Sequence, residues 1–345
     1  RPIMREPRFW YPARRGSTPL AARLLSPAGA IFGLAGRIRR ASTKPERAAV
    51  PVICIGNITA GGTGKTPLAL TIAERLIAAG EKVHFLTRGY GGRETGPIRV
   101  DLAHHGAEDV GDEPLLLART APVWVAANRP EGAAAAVRGG AGLIVMDDGL
   151  QNPSLEKDFS ILVVDAASGL GNGRLIPAGP LRERMDDALS RTNALILTGR
   201  GHAGDGIAAR ARARAIPVFN SIVRPASPPS FAEGPWLAFA GIGRPEKFFR
   251  TLRELGVELA DTVAFPDHHP FRENDALRLL VRARELGATL ITTEKDAARL
   301  VHAPSGSARA RLAEAAQVLP VRALVGDIDA LMALIADALV RARRR

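Results

Sequence analysis

One short stretch near residue 60 restricts the possible folds more than any other part of the chain. Val50–Ile55 is a continuous apolar run that predicts a buried strand, and Gly-Gly-Thr-Gly-Lys-Thr at residues 61–66 follows it. Backbone N–H groups of a glycine-rich turn can point inward at oxygen atoms, and the positive end of the next helix favours a bound phosphate. The stretch therefore predicts a nucleotide-binding fold in which a strand, a phosphate loop and a helix follow one another.

The loop and the first turn of the helix supply the expected nucleotide contacts. These residues are Thr59, Ala60, Gly61, Gly62, Thr63, Gly64, Lys65 and Thr66. Lys65 is expected to reach the β- and γ-phosphates of ATP, and Thr66 is expected to ligate Mg²⁺. The common motif has glycine where Thr59 stands, so the chain departs from it at this position.

A second apolar run, Leu143–Met146, ends in Asp147 and Asp148. In phosphate-loop proteins a strand of this kind brings a carboxylate toward the metal at the carboxyl edge of the sheet. The predicted metal ligands are Thr66, Asp147 and Asp148, and the pattern does not decide which aspartate contacts Mg²⁺ directly. The alternative is that the two aspartates cap the next turn.

Strand-like and helix-like stretches alternate from residue 50 onward, which is typical of a parallel sheet covered by helices on both faces. The expected strands are Val50–Ile55, Lys82–Thr87, Val123–Ala126, Leu143–Met146, Ile161–Val164 and Ala194–Leu197, and the expected helices include Pro67–Ala79, Glu113–Arg119 and Leu181–Leu189. After a turn-rich segment, a smaller unit has expected strands Trp236–Ala240, Thr289–Thr293 and Val318–Val321 and expected helices Pro245–Leu255, Glu273–Leu286 and Asp327–Arg343. The sequence thus predicts an α/β protein with an N-terminal segment (1–49), a nucleotide-binding domain (50–216) and a smaller C-terminal α/β domain (217–345).

The N-terminal segment mixes apolar side chains with arginines. Phe9, Trp10 and Tyr11 stand together, and the arginines that follow are Arg14, Arg15, Arg23, Arg37, Arg39 and Arg40. This pattern is typical of an amphipathic segment in a membrane interface, although a helix packed on the body of the protein can show it too. The longest uncharged apolar stretch, residues 24–36, is shorter than the roughly 20 residues that span a bilayer. Met4 is the expected natural start.

The charge balance limits the kinds of partner. With 47 Lys and Arg against 35 Asp and Glu, the formal net charge is +12, which favours a polyanionic partner. No nucleic-acid-binding motif accompanies this charge, so a phosphorylated substrate or an anionic membrane is expected rather than nucleic acid. The single cysteine, Cys54, excludes a scaffold of internal disulfides.

Three further polar clusters have both a functional and a structural interpretation. Asp112 precedes a leucine-rich helix that it could simply cap, and His268 and His269 lie in a Pro-rich loop that could be plain polar surface. Arg182 could bind transferring phosphate or an anionic substrate, whereas Arg182 and Glu183 could equally mark a solvated helix start.

Taken together, these motifs resemble the tetraacyldisaccharide 4′-kinase family, the lipid A 4′-kinases of Gram-negative bacteria. The resemblance covers nearly the whole chain, and Thr59 fits the family's variant of the phosphate loop. The motifs that carry it are Gly56-Asn-Ile-Thr-Ala-Gly-Gly-Thr-Gly-Lys-Thr-Pro67, Arg88-Gly-Tyr-Gly91, Gly111-Asp-Glu-Pro114, Asp147-Asp-Gly-Leu-Gln151, Pro177-Ala-Gly-Pro-Leu-Arg-Glu183, Phe265-Pro-Asp-His-His269 and Thr293-Glu-Lys-Asp296.

The resemblance implies a phosphate-loop kinase-like fold whose second α/β domain closes over the nucleotide. It implies transfer of phosphate from ATP to the 4′-hydroxyl of a tetraacylated glucosamine disaccharide 1-phosphate, by a peripheral enzyme on the cytoplasmic face of the inner membrane. The expected oligomeric state is a monomer. The implied catalytic residues are Asp112, His268, Lys65 and Asp148, with His268 chosen over His269 by motif position. The implied substrate contacts are Arg88, Tyr90, Arg182 and Glu183.

Two other classes of protein share part of this pattern. Partition and septum-placement ATPases, which switch partners on DNA or membranes, have a similar loop but carry a signature lysine where this chain has Ala60. A GTPase is suggested by Thr293-Glu-Lys-Asp296, which resembles a base-reading loop. That motif is short, and a helix start after a strand would also explain it.

Overall fold

The computed structural model describes residues 7–11, 19–226, 231 and 234–345. Within this part the chain alternates strands and helices for most of its length. The strands are β1 (Val52–Gly56), β2 (Val83–Thr87), β3 (Ile98–Arg99), β4 (Val123–Val125), β5 (Leu143–Asp147), β6 (Phe159–Asp165), β7 (Ala194–Thr198), β8 (Val218–Pro225), β9 (Trp236–Ala240), β10 (Leu259–Ala264), β11 (Thr289–Thr293), β12 (Ala316–Leu319) and β13 (Val321–Val325).

The helices connect these strands and cover the sheets. They are α1 (Leu20–Leu24), α2 (Ser26–Ser42), α3 (Lys65–Ala78), α4 (Ala107–Val110), α5 (Asp112–Leu117), α6 (Arg129–Arg138), α7 (Met185–Leu189), α8 (Asp205–Arg212), α9 (Pro245–Glu254), α10 (Glu273–Glu285), α11 (Glu294–Ala298), α12 (Ala308–Ala315) and α13 (Ile328–Arg343), after a single 3₁₀ turn at Arg8–Trp10.

Nine strands form a large sheet in the order β13-β8-β7-β6-β1-β5-β2-β4-β3. Strand β1 lies between β6 and β5 and pairs with both in parallel. Every residue of β1, β5 and β6 is buried, as expected for strands covered on both faces. The chain leaves β1 at a point where the strand order reverses, which is where α/β sheets form ligand-binding crevices. The predicted α/β fold with a mainly parallel sheet is confirmed.

A second sheet of four parallel strands, in the order β10-β9-β11-β12, forms the smaller unit. Aromatic side chains fill its core, among them Trp236, Phe239 and Phe271. Because all four strands run the same way, the loops that follow β9, β10 and β11 meet at one carboxyl edge. This edge faces the carboxyl edge of the large sheet.

Sheet membership does not follow the boundary expected at residue 217. Strand β8 pairs in parallel with β7 of the large sheet, and β13 returns to pair antiparallel with β8. Helix α13 then packs against the core of the large unit through Leu331 and Ile335. The predicted strand Val318–Val321 is split between β12 and β13, because the chain changes sheets at Pro320, which has no N–H to continue a ladder.

One predicted helix is shorter than expected. Leu181–Leu189 was expected to be helical, but α7 begins only at Met185. Residues 181–182 lie outside the helix because the Leu181 and Arg182 amides donate to Arg174 O and Ile58 O, and Leu181 forms a β-bridge with Thr59. This bridge fastens the segment beside the phosphate loop.

The N-terminal segment is divided between the body and the surface. Trp10, expected in a membrane interface, is instead buried, and its indole N–H donates to Pro177 O at 3.1 Å. Helix α2 packs through Gly29 on Leu175 and turns Ile31, Leu34 and Ile38 outward, with 58–70% of each exposed. No helix in the described part of the chain is long and apolar enough to cross a membrane. Arg14 and Arg15 lie outside the described residues.

Candidate active site

The phosphate loop runs from the end of β1 to the start of α3. Gly61 and Gly64 have φ values of 93° and 85°, which only glycine adopts readily, and a Cβ at Gly64 would come 2.9 Å from a methyl of Thr198. The Ala60 amide donates to Pro180 O at 2.8 Å, and the Asn57 amide group donates to Thr59 O, also at 2.8 Å. The loop is therefore held from both sides in a shape that can surround phosphate.

Lys65, at the first position of α3, points back under the loop. Its Nζ lies 3.1 Å from Asn57 Oδ1 and 3.1 Å from Asp148 Oδ1. Asp148 also receives two hydrogen bonds of 2.8 Å from Arg182 Nη1. Burial would raise the pKa of Asp148, but Lys65 and Arg182 hold it well below its ordinary range. Asp148 thus forms one ionic group with two cations beside the phosphate loop.

Asp147 has different surroundings. Its side chain is buried, Oδ2 accepts a hydrogen bond of 3.3 Å from Thr66 Oγ1, and Oδ1 has no hydrogen-bond partner. Burial and the charge of Glu113 raise the pKa of Asp147 to about 7. A buried carboxylate oxygen without a donor, next to a threonine hydroxyl, fits the few protein ligands that Mg²⁺ takes in nucleotide sites.

Asp112 and His268 meet across the boundary between the two units. Asp112 begins α5 of the large unit, His268 follows β10 of the small one, and Asp112 Oδ2 lies 3.0 Å from His268 Nδ1. Burial would raise the pKa of Asp112, but the His268 hydrogen bond and the charges of Arg299 and Lys295 hold it well below its usual range. Burial would lower the pKa of His268, yet Asp112 and Asp267 raise it above its ordinary value.

This pair is close to the phosphate loop. A Cβ atom at Gly243 would lie 3.3 Å from Asp267 Oδ2 and 3.8 Å from the Gly62 amide nitrogen. The loop that carries His268 and the phosphate loop therefore flank the same residue. One cleft thus contains the Asp112–His268 pair, the phosphate loop and Asp147, a carboxylate of the kind that binds Mg²⁺. Phosphoryl transfer to a hydroxyl needs this set of groups.

Comparison with known proteins agrees with this chemistry. The family described as tetraacyldisaccharide-1-P 4′-kinase, LpxK, matches residues 21–340. A tetraacyldisaccharide 4′-kinase of Parvibaculum lavamentivorans is 79% identical over 342 residues, which cover 99% of this chain and 100% of the relative. Another from Rhodospirillum centenum is 49% identical over 310 residues, covering 89% and 91% of the two chains. The chain belongs to the tetraacyldisaccharide-1-P 4′-kinase family.

The fold agrees with that of a solved member. A crystal structure of LpxK from Aquifex aeolicus in complex with ATP is similar with a TM-score of 0.70 at 23% identity, covering 93% of this chain and 100% of that one. Family membership confirms the interpretation as a lipid A 4′-kinase and decides against a switch ATPase. The Thr293-Glu-Lys-Asp296 motif has a structural place in this kinase: Thr293 caps α11, and Asp296 accepts the Gly241 amide at 2.9 Å.

The two histidines of the kinase motif have separate surroundings. His269 Nε2 lies 2.8 Å from Asp275 Oδ2, and its ring stacks on Phe265 at 4.8 Å. Those contacts lie within the small unit. His268 contacts Asp112 and the ring edge of Tyr90, at a centroid distance of 5.6 Å. Of the two, His268 is the one that the fold brings to the cleft.

The expected substrate residues of this kinase lie in three different environments. Arg182 is bound to Asp148, whereas Arg88 and Tyr90, which follow β2, are exposed. Glu183 is buried, and its carboxylate lies 2.5 Å from Arg191, 3.4 Å from Arg40 and 3.0 Å from Gln151 Nε2. The structure therefore gives Glu183 an ionic contact with α2 as well as a place beside the loop.

Sequence reasoning gave no site role to several charged groups of the cleft. Arg299 and Lys295 of the small unit bind Asp112 and Glu113. Arg129 at the start of α6 is buried with a hydrogen bond to Ala126 O, and burial and the charge of Arg88 lower its pKa to about 10. A lone arginine in a sequence is most often a solvated side chain, so only the fold shows which arginines are buried.

Proposed function

We propose that this kinase transfers the γ-phosphoryl group of ATP, with Mg²⁺, to the 4′-hydroxyl of a tetraacylated disaccharide 1-phosphate. The observation that carries the proposal is the contact between Asp112 and His268 at a cleft that also holds the phosphate loop. A phosphate loop alone is common to switches, ATPases and kinases. A paired carboxylate and imidazole beside it adds a group that can take the proton of an acceptor hydroxyl.

The nucleotide would occupy the loop from Thr59 to Thr66. Backbone amides of the glycines would surround the phosphates, and Lys65, which contacts Asn57 and Asp148, would bridge the β- and γ-phosphates. The crystal structure of the Aquifex relative contains ATP, which supports ATP as the phosphate donor here.

Thr66 and Asp147 fit Mg²⁺, as the unpartnered Asp147 Oδ1 indicates. The metal, when bound, would neutralise charge on the transferring phosphoryl group. Asp148 is already bound to Lys65 and Arg182, so we assign it to hold these two cations toward the phosphates. In this assignment Asp147 rather than Asp148 contacts the metal.

The proton of the 4′-hydroxyl would pass to His268. The hydrogen bond to Asp112 occupies Nδ1, which leaves Nε2 as the acceptor in the neutral ring. The His268 side chain is 24% exposed and that of Asp112 only 2%, so the imidazole is the member of the pair that can meet a substrate. Asp112 would orient the ring and stabilise the imidazolium.

The acceptor would bind between the exposed loop after β2 and the segment around residue 182. Arg88, Tyr90 and Arg182 offer a cation, an aromatic ring and a guanidinium on this side of the cleft. A sugar carrying a phosphate suits such a surface, since guanidinium groups bind phosphate oxygens well. Glu183 would not contact the substrate directly, and it would instead hold Gln151, whose amide group donates to it.

The lipid chains of the substrate require a membrane surface nearby. Leu24, Ile31, Leu34 and Ile38 form a stripe of exposed apolar side chains along α1 and α2, each at least 58% exposed, and Arg23, Arg37 and Arg39 are exposed around it. An apolar stripe edged with arginines suits an anionic interface. We assign the protein to the cytoplasmic face of the inner membrane, as a peripheral monomer.

The test is a transfer assay with the full chain, ATP, Mg²⁺ and the tetraacylated disaccharide 1-phosphate. Mass spectrometry should find one added phosphate on the lipid, and ADP should form only when the lipid is present. Lys65→Ala should nearly abolish transfer, because it removes the cation between the β- and γ-phosphates, whereas the exposed Lys82→Ala should not. Equal ADP formation with and without lipid would contradict the proposal.

A further inference from the structure

Arg299, just after α11 in the small unit, reaches across the cleft into the large unit. Its side chain is 5% exposed, and Nε donates to Asp112 Oδ2 at 2.9 Å, with Nη2 on the same oxygen. Nη1 donates to Gly241 O at 2.6 Å and to Asp296 Oδ1 at 2.7 Å. One buried guanidinium therefore connects Asp112 to two fixed points of the small unit.

Both carboxylate oxygens of Asp112 accept hydrogen bonds. Oδ2 receives Arg299 and His268, while Oδ1 receives the Glu113 amide at 2.9 Å. A carboxylate held in this way cannot rotate, so Oδ2 stays in position to accept the hydrogen bond from His268 Nδ1. We propose that Arg299 is a positioning residue of the kinase: it fixes Asp112 so that His268 presents Nε2 to the acceptor hydroxyl. This inference rests on the role proposed above for the Asp112–His268 pair.

The geometry requires arginine rather than a simple cation. Three nitrogen atoms of one planar group bind partners on two units at once, which a lysine ammonium on its flexible stem cannot reproduce. The arrangement also makes the pair depend on how the units meet. Arg299 and His268 both come from the small unit, so Asp112 gains its two side-chain partners together.

Arg299 also affects the charge of the site. The charged and titratable groups around His268 are Asp112 and Glu113 on α5, Asp267 on its own loop, Tyr90 after β2, Lys295 in α11 and Arg299 at the end of that helix. The positive charge of Arg299 opposes protonation of the imidazole. Its loss should therefore raise the pKa of His268 and move the acidic limb of the kcat profile to higher pH.

The experiment compares Arg299→Gln, Arg299→Lys and a matched control, Arg282→Gln, which removes one cation from the same unit at its ion pair with Asp261. For Arg299→Gln we expect kcat to fall about tenfold or more, the KM for ATP to stay within about twofold, and the acidic limb to shift upward. Arg299→Lys should keep the wild-type limb with a reduced kcat, and the control should behave as wild type. Wild-type kcat and pH profile in Arg299→Gln would overturn the inference.

A double variant separates positioning from support of the fold. If Arg299 acts through Asp112, adding Arg299→Gln to Asp112→Asn should lower kcat by less than about twofold more. Losses that multiply would overturn the proposal. Should the glutamine variant not fold, the lysine variant decides, because wild-type kcat there contradicts a need for the planar group. If Asp112→Asn and His268→Ala keep full activity, that result contradicts the proton-accepting role proposed for the pair and not the role of Arg299 alone.

Discussion

At the scale of single residues, the two adjacent histidines provide a matched comparison. His268 contacts Asp112 across the cleft, while His269 binds Asp275 within the small unit. His268→Ala should lower kcat by about 10²–10⁴-fold with little change in ATP binding, since general-base help is of that size. His269→Ala should keep kcat and lower the melting temperature. Steady-state kinetics and thermal unfolding of both variants would decide, and the reverse pattern would show that His269 is the base.

The pH dependence of the kinase follows from the same contact. Because Asp112 and Asp267 raise the pKa of His268 above 6.5, kcat should fall as pH drops through a value above 6.5, where the ring becomes protonated. The measurement needs saturating ATP and Mg²⁺, so that metal binding keeps Asp147 ionised. Asp112→Asn removes a charge that favours protonation and should move this acidic limb to lower pH. Asp267→Asn should move it less, as its oxygen lies 3.9 Å from His268 Nε2. An unmoved limb in Asp112→Asn would contradict the assignment.

Not every residue of the cleft could be predicted. The phosphate loop and Asp147 follow from local patterns whose geometry is nearly fixed, and Asp112 and His268 were paired through a family resemblance, although 156 positions separate them. Arg299 had no local signal. Its importance comes from a side chain that crosses between units, and nothing in the neighbouring sequence specifies such a crossing. The roles of these residues remain predictions until variants are measured.

At the scale of elements, the sequence pattern predicted most strands and helices correctly. The prediction that Trp10 of the Phe9–Tyr11 cluster lies in a membrane interface was wrong. Trp10 belongs to a residue type that often anchors proteins in a membrane interface. Here its ring is buried and its indole N–H donates to Pro177 O, so Trp10 is packed into the body of the protein. Amphipathic tryptophan suits either setting, so composition could not decide. In the membrane binding that we propose, the contact would therefore come from α1 and α2 rather than from Trp10.

Helix α2 leads to a specific prediction. Ile31→Gln together with Leu34→Gln should weaken binding to anionic vesicles by about 30-fold or more, because each change removes an apolar side chain worth roughly 1–2 kcal/mol when buried and 1.4 kcal/mol is a factor of about ten. Val340→Gln, an exposed apolar position of α13, is the matched control. Sedimentation with phosphatidylglycerol vesicles at low and high salt measures the effect. These point changes are cleaner than truncation, since Trp10 and Arg40 also contact the body. Equal sedimentation of all variants would contradict an interfacial α2.

At the scale of the whole molecule, the order of strands in the large sheet was beyond sequence reasoning. The return of β13 to the large sheet depends on long-range pairing with β8, and a local pattern carries no information about which sheet a strand joins. The same return ties the small unit to the large one at both of its ends. The small unit is thus an insertion between β8 and β13, with two covalent connections to the body.

Among the ionic contacts between the units that the described residues make, we compare two that each include a buried aspartate. One is the Asp112 group. In the other, Asp165 at the end of β6 binds Arg244 Nη1 at 3.1 Å and Lys247 Nζ, both from the small unit, and only 1% of the Asp165 side chain is exposed. Burial would raise the pKa of Asp165, but these two cations lower it below 3.8. The stabilisation that ionised Asp165 gives to the folded protein is therefore complete above pH 3.8. It is lost as the pH falls through the lower pKa that Asp165 has in the folded state.

Removing this contact should let the units separate. Asp165→Asn leaves Arg244 and Lys247 without their carboxylate, but their side chains are 24% and 38% exposed, so water can solvate them. The cost to the joined arrangement should therefore be about 1–2 kcal/mol, below the value for a fully buried pair. We expect a larger radius of gyration by small-angle X-ray scattering and a lower kcat, because Asp112 and His268 come from different units. Asp186→Asn is the control: Asp186 also binds two arginines, Arg210 and Arg214, but within the large unit. If both variants scatter like the wild type and keep its kcat, the Asp165 group does not hold the units together.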